Sequence, residues 1–176
     1  MEIIIVAAVS KDGFITDKNG SVNTWTSEED KKFFKDIREN HKLFIMGSTT
    51  YNELHKPLLA GPTRVVITSD PTKYDKNADK NVVFTNDSPL DIVQTYQPNY
   101  ESCLLLGGAQ TYKSFLSMNL VDTVLLTIEP IALSEGLRFL PDGKDLEDYG
   151  LHVTETKQLN DSGTTLFTFK RQSDRK

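Results

Sequence analysis

Trp25-Thr26-Ser27-Glu28-Glu29-Asp30-Lys31-Lys32-Phe33-Phe34, running on to Ile37, marks where a polar segment becomes an amphipathic helix. Ser27 offers a hydroxyl for the N-cap, and Glu28 and Glu29 set acids against the positive end of the helix dipole. Phe33, Phe34 and Ile37 then share one face. Asp30 lies three, four and seven residues before them, so at 3.6 residues per turn a carboxylate joins the core-facing stripe. Two readings fit that position. Asp30 sits three residues after Ser27, the spacing of a capping box. Alternatively it is an acid in the wall of a pocket, stable as an anion only against a cationic or multiply donating ligand.

Upstream, Ile3-Ile4-Ile5-Val6-Ala7-Ala8-Val9 is a continuous apolar run, the pattern of a central strand buried on both faces. Residues 11–26 follow, polar and broken by Asp12-Gly13 and Asn19-Gly20, which predicts a mobile loop of the kind that covers an active site. After a helix over 28–39, residues 43–46 form a short strand ending at Gly47, and a short helix around 51–55 is stopped by Pro57. Strands are expected at 64–68 and 81–85, the first entered through the Gly61-Pro62 turn. Ser88-Pro89 opens a helix to about residue 96. A buried strand at 102–106 halts at Gly107-Gly108, followed by a helix over 110–116 and a strand over 123–128. Two alternating segments, 151–158 and 165–170, flank Asn160-Asp161-Ser162-Gly163 as an antiparallel hairpin. This order predicts an α/β fold in one domain spanning 1–176, with a mostly parallel central sheet, helices on both faces and a C-terminal antiparallel hairpin.

The 176 residues are 38% hydrophobic and 26% charged, enough for one sizeable core. No run reaches the roughly eighteen apolar residues of a membrane span, and the N-terminus lacks a basic region and cleavage site, so a cytoplasmic protein without a membrane partner is expected. A net charge of −5 argues against a nucleic-acid partner, and Lys170-Arg171 with Arg175-Lys176 read as a solvated tail. Cys103 sits among leucines as a small core side chain, with no second cysteine to pair with. His41, His55 and His152 show no metal-ligand spacing, so no metal is expected.

In open α/β sheets, ligands bind beyond the carboxyl ends of the strands. Gly47-Ser48-Thr49-Thr50, Thr68-Ser69 and the segment Gly107-Gly108-Ala109-Gln110-Thr111-Tyr112 all fall there. A glycine pair between strand and helix lets backbone approach a phosphate, although it serves equally as a tight turn. The ordinary G-x-G-x-x-G fingerprint and a P-loop are both missing.

Together these features resemble the dihydrofolate reductase superfamily over essentially the whole chain. The residues that carry the resemblance are Ile5-Val6-Ala7-Ala8, the trio Trp25, Asp30 and Phe34, Ile45-Met46-Gly47 with Thr50-Tyr51, Leu106-Gly107-Gly108 with Tyr112, and Leu126-Thr127. The resemblance implies hydride transfer from NADPH to the pterin ring of dihydrofolate, giving tetrahydrofolate, with NADH not excluded. Asp30 would anchor the ring through a bidentate pair of hydrogen bonds, and Trp25 would close the pocket from the loop. Ala7, Ala8, Phe34, Leu54 and Thr127 would complete the substrate site. Ala8, Ile15, Gly47, Ser48, Thr49, Thr50, Thr68, Ser69, Leu106 and the 107–112 segment would line the cofactor groove, with Tyr112 near the nicotinamide.

The pattern departs from the family at two places. Ser48 stands where an arginine usually holds the 2′-phosphate, and Gln110 is not a base either, leaving hydroxyls such as Thr49 and Ser69 as donors. Gly61-Pro62 occupies the place of the arginine that clamps the folate tail, and alternation points nearby Arg64 elsewhere. Both gaps lean towards the sister branch, the riboflavin-pathway reductase. Against it, a phosphoribosylamino-pyrimidine wants a basic cluster for its phosphate, where Lys31, Lys32 and Lys35 partly face solvent, and it would not need Asp30 on the apolar face. Dihydrofolate therefore stays the main reading and the pyrimidine the alternative. A non-catalytic nucleotide-binding module is a further alternative.

Overall fold

A computed structural model describes residues 1–172, apart from 22–23, 55–60, 75–78 and 141. Eight strands form one sheet: β1 (Glu2–Ser10), β2 (Leu43–Gly47), β3 (Thr63–Ile67), β4 (Val82–Thr85), β5 (Ser102–Leu105), β6 (Thr123–Glu129), β7 (Leu151–Gln158) and β8 (Thr165–Arg171). Their spatial order is β4-β3-β2-β5-β1-β6-β8-β7. All neighbouring pairs are parallel except those that β8 makes with β6 and β7. The mostly parallel sheet and C-terminal antiparallel hairpin are therefore as expected.

Because side chains alternate along a strand, β1 feeds two separate cores. Ile3 and Ile5 point into one, and Ile4 and Val6 into the other. Helix α1 (Glu28–Glu39) lays Phe33, Phe34 and Ile37 on the second core, joined there by Tyr51 of α2 (Ser48–Glu53) and by Leu54, which follows it. Helices α3 (Pro89–Tyr96) and α4 (Ala109–Ser117) cover the opposite face with Ile92, Phe115 and Leu116. Both faces are thus roofed by helices, which is what allows the central residues of β1, β2 and β5 to be apolar.

Two local expectations change. The short helix expected at 51–55 begins at Ser48, directly off β2, because Gly47 serves as its extended N-cap; His55 and Pro57 lie outside the described residues. The segment expected to be a free-standing loop is pinned along its first half. Ser10 and Lys11 pair with Phe14 and Ile131, the Ile15 N–H donates to the Leu137 carbonyl, and Phe14 forms a bridge with Arg138. Asp12 secures the same contact by accepting hydrogen bonds from Ser10 Oγ and from the N–H groups of Leu133 and Ser134. These bonds hold its carboxyl down at a pKa of about 2, the Ser10 hydroxyl contributing most. Distant pairing of this sort has no short-range signature, so residue-by-residue reading could not show it.

Candidate active site

Strand β1 ends beside α1, and the carboxyl ends of β2, β3 and β5 open on the same side. Between them lies a cleft of about 750 Å³. Ala7, Ala8, Ile15, Asp30, Phe34, Leu54, Gly47, Ser48, Thr49, Thr50, Thr68, Ser69 and the run Leu106 to Tyr112 all line it. The topology therefore gathers into one cavity nearly every residue that the sequence marked from positions 7 to 112.

Asp30 is the one buried residue of α1, at 8% exposure. Burial is the main reason its pKa rises to about 6. The Glu129 carboxylate pushes the same way, while Lys31 and the Thr127 hydroxyl pull it down. Thr127 pairs with Ala8 across β1 and β6, which brings it to the acid. Thr127 is 1% exposed and is not among the described residues lining the cleft, so it does not reach the wall as the substrate-site reading expected; its hydroxyl acts on Asp30 instead.

The capping-box reading of Asp30 is half right. Its backbone N–H donates to Ser27 Oγ at 3.2 Å, but the return bond is missing, because the Ser27 N–H donates instead to Glu129 Oε1 at 2.7 Å. The carboxyl is consequently free of the cap and lies on the cleft wall. Trp25 is placed differently from its expected role: its indole donates to the Ser21 carbonyl at 3.1 Å, and Trp25 is absent from the described residues lining the cleft. Thr26, its neighbour, lines the wall instead.

On the other side, the glycines act by what they leave out. A Cβ on Gly47 would lie 2.9 Å from Thr111 Oγ1, and one on Gly107, whose φ is +112°, would lie 3.1 Å from the Tyr112 hydroxyl. The Gly107-Gly108 peptide is cis. Tyr112 is held by a bond from its hydroxyl to the Val6 carbonyl, 3.0 Å, and burial raises its pKa. Gly108 caps α4 and Gly47 caps α2 without a side-chain bond, so first-turn N–H groups face the groove uncapped. Glycines, free amides and neutral hydroxyls fit a dinucleotide backbone. No arginine is among the described lining residues, and Lys31 is their single cation. Arg64 is buried and paired with Asp79, away from the cleft, as alternation predicted.

Glu129 was missed by sequence reading. It is 3% exposed, follows Thr127 by two residues, and meets α1 only because the sheet brings β6 beside it. Its spacing from Ser27, 102 residues, carries no local signal.

Fold and cleft together define an α/β domain with a dihydrofolate reductase-like architecture and one groove lined by glycines, hydroxyls and a buried acid. The chain belongs to the RibD C-terminal domain family, whose profile matches residues 1–167. The Bacillus subtilis (strain 168) protein YyaP is 28% identical over 159 residues, covering 81% of each chain. Among solved structures, a Shewanella sp. PV-4 protein provisionally assigned to riboflavin biosynthesis superposes with a TM-score of 0.78 at 20% identity, covering 98% of this chain and 100% of its own. A diaminohydroxyphosphoribosylaminopyrimidine deaminase/5-amino-6-(5-phosphoribosylamino)uracil reductase from Thermotoga maritima gives 0.77 at 16% identity; this chain matches 56% of it. At such identities the two structures speak for the fold alone. The family match backs the riboflavin-type alternative better than the dihydrofolate reading.

Proposed function

We propose that this chain is a reduced-nicotinamide-dependent reductase of a small amino-substituted pyrimidine, with the phosphoribosylamino-pyrimidine of riboflavin biosynthesis as first candidate. One observation carries the reading: in a chain of this family, the cleft wall holds a desolvated acid, Asp30. NADPH is the expected cofactor; bound in the glycine-lined groove it would supply hydride. The remaining work falls to the chain. The two Asp30 oxygens accept hydrogen bonds from ring N–H and amino groups and so fix the ring's orientation. With its pKa near neutrality, the same carboxyl can hold or release a proton at the working pH. Gly47, Gly107 and Gly108 admit close backbone approach, and Ser48, Thr49 and Ser69 offer neutral donors. Lys31 is the cation placed to meet a ribose phosphate, and its exposed pairing with Glu28 at 2.7 Å is cheap to exchange.

Asp30 also favours a second substrate, the pterin of dihydrofolate, since a 2-amino-N-heterocycle presents the donor pair a carboxylate binds best. Against it, no described lining residue is an arginine for the glutamate tail. Loss of reduced-nicotinamide absorbance, measured with each substrate and each cofactor, decides the matter. Oxidation that needs the pyrimidine and disappears in Asp30→Asn supports the first reading, and oxidation that needs dihydrofolate moves the assignment to the second. Cofactor binding with neither turnover sinks the enzyme reading in favour of a nucleotide-binding module.

A further inference from the structure

A cap followed three residues later by aspartate occurs at Ser27/Asp30, Ser88/Asp91 and Asp145/Asp148 among the described residues. Asp91 Oδ2 accepts from Ser88 Oγ at 2.6 Å, and Asp148 Oδ2 accepts from the Asp145 N–H at 2.9 Å. In both, the acid folds back on its own cap, the outcome local chemistry favours. Asp30 has the same spacing and does the opposite.

The difference lies across the sheet. Glu129 Oε1 accepts both the Ser27 N–H at 2.7 Å and the Ser27 hydroxyl at 2.8 Å, and its Oε2 accepts the Thr164 hydroxyl at 2.7 Å. Three donors satisfy a carboxylate that is 3% exposed. We propose that Glu129 is the positioning residue that delivers Asp30 to the cleft, by occupying the Ser27 groups to which the Asp30 carboxyl would otherwise turn. The hairpin between β7 and β8 braces the arrangement. Asn160 Nδ2 donates to Thr164 Oγ1 at 3.0 Å and to Glu29 Oε2 at 2.9 Å, so the turn grips the first helical turn of α1 a second time. The ionisable groups acting on Asp30 are Glu129 from β6 and Lys31 from α1. A second carboxylate two residues from Thr127 is thereby spent on holding a helix cap, and the Asp30 carboxyl is left to the cleft wall.

The inference rests on the reading that Asp30 serves the site, and its test needs no substrate. In the ligand-free protein, the Asp30 carboxyl is followed by carbon-13 NMR through a pH titration and its position read from crystal structures, for Glu129→Gln and for the volume-keeping Glu129→Met. The amide of Glu129→Gln can still accept from Ser27, so Asp30 stays on the cleft wall while its pKa falls with the lost charge. Glu129→Met leaves the Ser27 N–H open, Asp30 swings onto it, and its pKa drops further, by about one unit or more below wild type as it is hydrogen-bonded and rehydrated. A Glu129→Met protein whose Asp30 keeps its place, or the two variants titrating alike, overturns the positioning role. If Glu129→Met does not fold, Glu129→Gln decides: an Asp30 titration unchanged from wild type defeats the proposal. Absence of turnover would sink the reductase reading and leave this result standing.

Discussion

At the scale of single residues, the buried Asp30 carboxyl costs the native state stability near neutral pH. Its folded-state pKa of about 6 lies above the ordinary 3.8, so the native state binds this proton more tightly than the unfolded chain. Its contribution is fully present below pH 3.8 and is lost as pH rises through 6. A shift of about two units corresponds to roughly 2–3 kcal/mol. Asp30→Asn should therefore be more stable than wild type by about that amount at pH 7–8, the gap closing towards pH 4, as read by denaturant unfolding at a series of pH values. A gap that does not change with pH would mean the carboxyl is not desolvated. Lys31 gives a complementary expectation for the pyrimidine substrate: Lys31→Ala should raise KM for the phosphorylated form roughly 10-fold and leave the dephosphorylated form within about 2-fold. For the cofactor, Ser48→Arg should raise the preference for NADPH over NADH by roughly 10-fold, through a charge-assisted bond to the 2′-phosphate. Equal effects on both cofactors would place that phosphate elsewhere.

At the scale of elements, the site depends on how strands hand over to helices. Strand β2 passes into α2 through Gly47, which packs against Thr111 of α4. Gly47→Ala puts a methyl 2.9 Å from Thr111 Oγ1. Gly47 has φ of −77°, so any residue can adopt its backbone, and the cost is purely one of contact. The expected outcome is a several-fold weaker cofactor Kd, about 1 kcal/mol, recovered largely in Gly47→Ala/Thr111→Ala. Failure of the second change to rescue the first would show that the glycine matters for some other reason. The elements themselves were legible, because caps, glycines and periods of two and 3.6 are written locally: Ser27, Ser88-Pro89, Gly47 and Gly107-Gly108 all fall at real boundaries. The pinning of residues 11–16 was not legible, since Asp12 finds its partners 121 and 122 residues away.

At the scale of the molecule, one sheet separates two cores and carries the cleft at the carboxyl ends of its parallel strands. Cys103 lies at the centre, fully buried, its thiol pushed up to about 12 chiefly by burial. It should react with an aromatic disulfide reagent only as fast as the protein globally unfolds, and faster labelling under native conditions would reveal local opening around β5. The amino-acid sequence by itself determined the alternation of strands and helices, the two-faced burial of β1 and the small residues at strand ends, because each depends on neighbours within a few positions. It also determined that an acid would share the apolar face of α1. Tertiary structure decided where that acid lies. Ser27 and Asp30 alone specify a capping box as well as they specify a ligand site, and the choice was made by Glu129 and Thr164, brought from the far end of the chain. Hydrogen bonds between groups 102 residues apart leave no periodicity to read, so that choice existed only once the sheet had assembled.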